Sequence, residues 1–463
     1  FTFLTVNGQD SRLSALLQFD FDKLSLNTTL AKSPLDLYYQ NLGDIFQVIL
    51  LESDDRFNEL NKNKEVRLEA LEEFNSENDP WYGFVKSEIK LQWAFVNFKL
   101  GNDWDAFWGL RSAFRSINKN EKNFPNFSPN KRTLGLINVV FGNVPSKNQW
   151  LMTLFGLKGN VYDGLAQLAS VDTKTPNIAL EANLLTGMIQ AFLLEDFSKA
   201  LARVSDNMEF EKTPLVKYVK ALVQLKAHDA LSARRLLETS AKRFPFHDYL
   251  TAETYFQSQN YDKALSLYRK FLSDTEGNTY VKDAYLKIAL SHLFKNDQLE
   301  YKHHVKLYME NGNQQSEIDK NAAKIINDLP NQKPIAMKIR FAIDGGFYDL
   351  ANKMIVTYEP QITSNYERLE LIYRKARIQH LKGDVNKALT YYRQVIDNAD
   401  LIAETYYGPN SFLQAGYLMR ANGDRAGALM CFERVLKLKK HPYKASLDTK
   451  AKIAIKGLNS RDD

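Results

Sequence analysis

The sequence predicts an all-α protein in which helical hairpins stack into a right-handed solenoid. Three observations support this fold class. The 463 residues contain only 21 Gly and 13 Pro, whereas average proteins have about 7% Gly and 5% Pro, and a turn-rich β fold or a linker-type chain needs more of both. Hydrophobic residues make up 44% and charged residues 25% of the chain, which is typical of a globular protein rather than a disordered one. Pairs of small residues also recur along the chain at one fixed spacing.

The recurring signal is a small residue followed by Ala twelve positions later. Two antiparallel helices that cross closely need a small side chain on each helix at the crossing point, so each pair predicts one hairpin. An Asn or Asp lies four positions before each second Ala. In such a turn Gly accepts a positive φ and an Asx side chain bonds to the backbone. Weaker copies of the pattern centre on Ala200, Asp297 and Ala351. The five clearest pairs are Ala94/Ala106, Ala221/Ala233, Ala252/Ala264, Ala376/Ala388 and Gly416/Ala428.

The distance between successive hairpins matches a known repeat length. Ala200, Ala233 and Ala264 are separated by 33 and 31 residues, and Pro245 lies near the end of one such unit. In these features the chain resembles the tetratricopeptide-repeat family, whose unit is about 34 residues with small residues at fixed positions and a terminal Pro. The family's usual Trp in the first helix is absent, and later intervals lengthen to 37–40 residues. The resemblance implies helix pairs with longer helices or loops toward the C-terminus.

We predict two parts, a helical block of divergent repeats over 1–165 and a tetratricopeptide-like array over 166–463. The first part contains all the tryptophans of the chain. We interpret them as core residues, because a large ring buries much apolar area. A ligand platform is the alternative. The tryptophans are Trp81, Trp93, Trp104, Trp108 and Trp150.

The segment from Asn126 to Leu165 differs from a plain repeat. It contains Gly135, a Val-Pro turn at 144–145, an apolar stretch at 150–155, and Gly156-Leu157-Lys158-Gly159 before Gly164-Leu165. This order of motifs resembles a signature of the tetratricopeptide-repeat-39 and inclusion-body-clearance family and its bacterial relatives, with Leu in the place of an aromatic residue. The resemblance implies an all-helical scaffold without known chemistry.

Charge and cysteine content exclude several classes of protein. The net charge of +6 is nearly neutral for this length, so we predict no nucleic-acid partner. The single cysteine, Cys431, allows no intrachain disulfide and no cysteine cluster for zinc. One basic stretch lies near the C-terminus, and we interpret it as a solvated helix end, with an anionic partner or membrane surface as the alternative. Its residues are Lys437, Lys439, Lys440, Lys444, Lys450, Lys452 and Lys456.

The cellular location is inferred from weaker signals. No run of 18 apolar residues occurs, so we predict no transmembrane segment. The chain begins with Phe1 rather than Met, which removal of a secretory signal would explain. We therefore expect a periplasmic or exported protein, with peripheral association with the cell envelope left open. A cytoplasmic location is the alternative.

No pattern of catalytic or metal-binding residues stands out. The chain has no Gly-x-Ser-x-Gly, no His-Glu-x-x-His, no phosphate-binding loop and no calcium loop. Adjacent His303 and His304 are expected on different sides of a helix, and His292 lies three helical turns from His303, too far for one metal ion. We predict a non-enzymatic protein with no catalytic residues, no cofactor and no metal site. An enzyme with a dispersed site is a weaker option.

Stacked hairpins offer an extended concave face, and the first helix of each pair is expected to line it. Tyr and Arg, which are enriched at binding hot spots, fall at its inward positions. We predict a scaffold or adaptor for proteins or peptides, such as a subunit of a cell-envelope assembly. The alternative is a small-ligand or lipid-binding module with a pocket near the tryptophan-rich block. The candidate partner-binding residues are Tyr249, Glu253, Phe256, Tyr373, Arg377, His380, Leu413, Tyr417 and Arg420.

Overall fold

A computed structural model describes residues 8–24, 31–51, 53–75, 78–144, 152–153, 155–206, 209–314, 316–398 and 405–459. Within these residues the chain is all-α, which confirms the predicted fold class. The first half contains α1 (Gly8–Leu17), α2 (Phe21–Leu24), α3 (Pro34–Leu51), α4 (Asp54–Leu60), α5 (Lys62–Leu71), α6 (Pro80–Lys99), α7 (Asp103–Asn123), α8 (Pro129–Gly142), α9 (Val161–Ala169), α10 (Pro176–Ile189), α11 (Phe197–Ser205), α12 (Pro214–Lys226) and α13 (Ala230–Glu238). The second half contains α14 (Pro245–Gln257), α15 (Tyr261–Asp274), α16 (Val281–Phe294), α17 (Gln298–Glu310), α18 (Glu317–Asp328), α19 (Pro334–Asp344), α20 (Tyr348–Tyr358), α21 (Asn365–Leu381), α22 (Val385–Ile396), α23 (Tyr407–Ala421), α24 (Arg425–Lys437) and α25 (Lys444–Asn459).

The small residues lie at the crossings between paired helices, as predicted. The alanines of all five pairs are buried. At the crossing of α23 and α24, a Cβ added to Gly416 would lie 2.5 Å from the Phe432 ring. The large side chain of each second helix therefore fills the space that the small residue leaves open, and any larger residue at the crossing would displace it.

The turns between paired helices share one backbone conformation. The residue before the helix N-cap has a positive φ, and in most of these turns an Asx side chain at the N-cap accepts a hydrogen bond from the backbone three residues on. In the α21–α22 turn Gly383 has φ 82° and Asp384 accepts from the Lys387 amide at 3.1 Å. Glu195 (φ 56°) and His228 (φ 59°) occupy the same position without being glycine. The left-handed conformation costs a non-glycine residue about 1–2 kcal/mol.

The segment that differed from a plain repeat also forms a hairpin. Helices α8 and α9 cross at Gly135 and Gly164, where a Cβ on Gly164 would lie 2.6 Å from the Gly135 carbonyl oxygen and 2.9 Å from the Val139 amide nitrogen. Because both atoms belong to the backbone, the two helices approach as closely as glycine allows.

The tryptophans do not form one core. Trp93 is buried and its indole nitrogen donates a hydrogen bond to Asn41 at 2.9 Å, as the core interpretation predicts. Trp104 and Trp108 are 61% and 47% exposed, so the core interpretation is wrong for them. Trp81 is half-buried against Phe127, and Trp150 lies outside the described residues. The division at residue 165 stays a prediction.

One segment has the length and composition of a membrane span. It covers Pro176–Leu194, 19 residues with a mean hydropathy of 1.3, and 44% of its most apolar window is buried. Core helices of soluble proteins have the same composition. Its Glu181 carboxylate pairs with the buried Arg132 guanidinium at 2.7 Å. The segment is therefore weak evidence against the prediction that no helix spans a membrane.

Candidate binding cavity

The C-terminal helices fold back onto the middle of the chain. Ile453 of α25 packs in an apolar cluster with Val161 and Leu168 of α9, and Arg420 of α23 donates to the Tyr162 hydroxyl at 3.3 Å. Gly457 of α25 lies against the same tyrosine so closely that a Cβ would overlap the ring. Residues more than 250 positions apart are thus in contact, and the stacked hairpins close on themselves instead of leaving an open groove.

A second contact within the closure joins the turn before α13 to the turn after α19. The Ala230 amide at the start of α13 donates to the Gly345 carbonyl at 3.2 Å. In the preceding turn, His228 Nδ1 lies 3.0 Å from the Asp344 carbonyl oxygen. A carbonyl only accepts, so Nδ1 carries the proton and Nε2 is free to accept from Arg377 Nη2 at 3.4 Å.

Glu195, in the turn before α11, joins the middle of the chain to the C-terminal helices electrostatically. Its carboxylate forms an ion pair with Lys450 of α25 and accepts from Gln414 Nε2 of α23 at 2.9 Å. Burial alone would raise the pKa of Glu195, but the charges of Lys450, Lys226 and Arg377 lower it below the ordinary value. The ionised carboxylate therefore stabilises the closed arrangement at neutral pH, and this contribution is lost as the pH falls below the ordinary range of glutamate.

The closure surrounds a cavity of about 960 Å³. Its lining contains six basic side chains and three acidic ones, an excess of three positive charges. The basic residues are Lys226, Lys324, Arg340, Arg374, Arg377 and Lys450, and the acidic residues are Glu195, Asp328 and Asp344. A cavity of this size and sign raises the local concentration of anions.

Three of these cations lack a carboxylate within 4.0 Å among the described residues: Lys226, Lys324 and Arg377. Arg377 donates to the Gln414 amide oxygen at 2.7 Å. Burial lowers the pKa of Lys226, Glu195 opposes that change, and the charges of Lys450 and Arg377 reinforce it. An anion in the cavity would offset the repulsion among these cations.

Aromatic side chains form another wall of the cavity. Asn410 Nδ2 donates to the buried Tyr373 hydroxyl at 2.5 Å. The Arg374 guanidinium lies 5.4 Å from the ring centres of Tyr373 and Tyr407 and pairs with Glu370 at 3.0 Å. Among the described residues, the buried Nε of Arg374 has no hydrogen-bond partner. The wall combines flat apolar faces with a fixed cation. Its tyrosines are Tyr366, Tyr373, Tyr406, Tyr407 and Tyr443.

Most of the residues predicted to line a concave groove lie in the core. Tyr249, Phe256, Tyr373 and Leu413 are at most 2% exposed, because the inward positions of one hairpin pack against the next hairpin. Their predicted place on an open groove is therefore wrong, although Tyr373 borders the cavity.

Glu253 belongs to a buried ionic cluster between α14 and α16. Lys287 Nζ lies 2.7 Å from the Glu253 carboxylate and 3.3 Å from that of Asp283, and the Tyr249 hydroxyl donates to Asp283 at 2.5 Å. Tyr268 donates to Glu253 as well. Each polar group in the cluster faces another group of the same chain, which corrects the prediction that Tyr249 and Glu253 face a partner.

The remaining predicted residues fall at or near the closure. Arg377 lines the cavity. His380 lies 3.2 Å from the Tyr392 hydroxyl, and burial, followed by the charge of Arg377, lowers the pKa of its imidazole to about 3. Tyr417 packs on Phe432 with 5.5 Å between ring centres, and Arg420 bonds Tyr162 across the closure. A role in partner binding stays a prediction for this group.

Sequence reasoning missed several cavity residues, among them Lys226, His228 and Lys324, and it interpreted Lys450 as part of a solvated helix end, whereas Lys450 is half-buried and pairs with Glu195. One signal was available. Glu195 and His228 stand where other turns of the array have Gly, and residues held at a positive φ often mark functional positions. Both of their side chains line the cavity, although Gln259 and Asn296 share the positive φ without lining it.

A second pocket, of about 570 Å³, lies in the N-terminal block. It is lined in part by Trp93 and Trp108, with Lys64, Lys90 and Asp105 beside them. This is the region where the alternative function places a ligand pocket.

The prediction that His292 lies too far along a helix from the later histidines to share a metal ion with them is wrong in its geometry. His292 lies in the last turn of α16, whereas His303 and His304 lie on α17, so the turn at 295–297 brings His292 and His304 together. The rings of His292 and His304 stack with centres 5.3 Å apart and an angle of 9° between planes.

Comparison with known proteins supports the repeat assignment. Residues 370–400 match the family model described as tetratricopeptide repeat, and this range covers the larger part of α21 and all of α22 with the pair Ala376/Ala388. The fold and this match define the class, a helical-repeat protein that contains a tetratricopeptide repeat. No curated protein matches the chain.

Several solved structures of low similarity align over most of the chain. Yeast Tom70 is 12% identical over 98% of each chain, with a TM-score of 0.31. A human IFIT1 dimer with PPP-AAAA is 14% identical over 94% of this chain and 96% of that chain, with a TM-score of 0.31. The Cut9–Hcn1 hetero-tetramer of the APC/C is 12% identical over 97% of each chain, with a TM-score of 0.23.

Proposed function

We propose that the chain is a non-enzymatic protein-interaction scaffold that holds an acidic segment of a partner protein in the cavity formed by its closure. The observation that carries this proposal is the excess of three positive charges in the lining, with Lys226, Lys324 and Arg377 each lacking a carboxylate within 4.0 Å among the described residues. Side-chain carboxylates match these cations, and the tyrosine wall offers apolar contact to the backbone between them.

A fluorescent hexaglutamate peptide, compared with hexaglutamine, tests this proposal by fluorescence anisotropy. We expect hexaglutamate to bind and hexaglutamine not to bind. Lys226→Gln should weaken binding about tenfold, because a hydrogen bond to a charged group contributes about 1.5 kcal/mol or more. Lys226 forms no ion pair within the described residues, but its charge helps to keep the pKa of Glu195 low, so the substitution should lower the melting temperature slightly.

Lys439→Gln is the matched control, since Lys439 is exposed and lies outside the cavity lining. Equal binding of the two peptides, or equal loss of affinity in Lys226→Gln and Lys439→Gln, would contradict the proposal. Placement of the scaffold in a cell-envelope assembly, and its periplasmic or exported location, stay predictions.

The alternative function, binding of a small ligand or lipid, is favoured by one observation, the pocket of about 570 Å³ beside Trp93 and Trp108. Native mass spectrometry of the purified protein tests it. A co-purifying small molecule that is lost in Trp108→Ala would favour the alternative, whereas a bare chain would favour the scaffold.

A further inference from the structure

Three side chains with metal-binding atoms meet where α16 and α17 join. His292 lies in the last turn of α16, and Glu300 and His304 lie one turn apart at the start of α17. One ligand atom from each residue lies within 4.8 Å of the other two. Residues four apart on a helix share a face, and the hairpin turn presents that face of α17 to the end of α16.

The two imidazoles are enclosed by the protein, and the carboxylate faces solvent. Both histidines are buried, while Glu300 is half-exposed, so the cluster borders solvent at its carboxylate. His304 Nε2 lies 3.6 Å from the Glu300 carboxylate, and His304 Nδ1 is buried without a hydrogen-bond partner among the described residues. A buried imidazole nitrogen without a partner is costly unless something binds it.

The Asp297 carboxylate orients the other imidazole. It lies 3.2 Å from His292 Nδ1, so Nδ1 keeps its proton and Nε2 is left as the electron-pair donor. This arrangement, in which a carboxylate accepts from the second nitrogen of a histidine, is common behind metal ligands because it fixes the ring.

One cation competes for the same nitrogen. Arg269 Nη2 lies 3.4 Å from His292 Nε2. Arg269 is an exposed residue of α15, so its guanidinium can swing into solvent. Metal binding would have to displace it, and its removal should therefore strengthen binding.

We propose that His292, Glu300 and His304 bind a divalent transition-metal ion of the zinc class. Two imidazoles and one carboxylate are a common protein ligand set for Zn²⁺, with water at the remaining position. Ligand atoms around a tetrahedral zinc lie about 3.3 Å apart, so the three side chains must each move inward by about 1 Å. Glu300 is half-exposed, so its carboxylate has room for this movement on the solvent side.

Isothermal titration of the EDTA-treated, dialysed protein with ZnCl2 tests the proposal. We expect one site in the wild-type chain and a rise in melting temperature on saturation. His304→Gln and Glu300→Gln should each weaken binding at least about tenfold, since even the loss of an outer-shell partner costs about that much. Arg269→Ala should tighten binding.

His303→Gln is the matched control, because His303 is the exposed neighbour of His304 on the same helix and should bind Zn²⁺ as the wild type does. Glu300→Gln keeps the test decisive if His304→Gln does not fold, since Glu300 is half-exposed. No binding by the wild-type chain, equal affinity in Glu300→Gln and wild type, or a loss in His303→Gln as large as that in Glu300→Gln would each overturn the proposal.

Discussion

Replacing Lys287 with Met is expected to lower the free energy of unfolding by about 3–5 kcal/mol. Lys287 is buried and neutralises the half-buried carboxylate of Glu253 at 2.7 Å and the buried carboxylate of Asp283 at 3.3 Å. Met keeps most of the volume, so the packing between α14 and α16 changes little. The loss comes from leaving the buried Asp283 and the half-buried Glu253 without a counter-charge, a situation that is strongly unfavourable in a protein interior.

Urea denaturation of wild type and Lys287→Met measures this effect. Lys270→Met is the matched control, because Lys270 also pairs with two carboxylates, Asp248 and Asp274, but is largely exposed. Asp274 is exposed, and the buried Asp248 keeps its ion pair with Arg243 at 2.6 Å, so the control should lose at most about 1 kcal/mol. If the two variants unfold at the same urea concentration, the cluster is not the stabilising element that the structure indicates.

Replacing Gly164 with Leu is expected to lower the free energy of unfolding by about 3 kcal/mol or more. The new side chain would meet the Gly135 carbonyl oxygen at 2.6 Å from its Cβ and the Val139 backbone at 2.9 Å. Backbone atoms cannot rotate aside, so α8 and α9 must separate. The better helix propensity of Leu returns only about 1 kcal/mol.

Ala166→Leu provides the control for this prediction. Ala166 lies on the same helix but is exposed, so the added bulk points into solvent and should change stability by at most about 0.5 kcal/mol. Thermal unfolding of both variants separates the effect of blocking the helix crossing from the effect of adding side-chain volume. Equal melting temperatures would show that α8 and α9 do not cross at this glycine.

The hairpins and their turns could be predicted because their determinants are local. Each hairpin contains its own signals, which lie within twelve residues of one another. These are the small residues at the crossing and the Asx N-cap of the second helix, as at Ala376, Ala388 and Asp384. The same local signal was present at Asp297, a weaker copy of the turn. Reading that turn as a break between two helices would have placed His292 opposite His304.

The cavity could not be predicted because it depends on contacts between distant parts of the chain. Glu195 and Lys450 are 255 positions apart, and no spacing within one hairpin encodes their meeting. The prediction of an open concave groove was wrong for a related reason. Counting inward positions from each small residue assumes an open array, whereas Tyr249 and Phe256 are covered by the next hairpin and Arg377 faces a closed cavity.

The closure itself is tested most directly by a double-mutant cycle between Glu195 and Lys450. Unfolding free energies of Glu195→Gln, Lys450→Met and the double variant are compared with wild type at pH 7. If the C-terminal helices close onto the middle of the chain, the two changes interact, and we expect a coupling free energy of about 1–3 kcal/mol. Additive losses, within about 0.3–0.5 kcal/mol, would show that the two residues do not meet and that the cavity does not form.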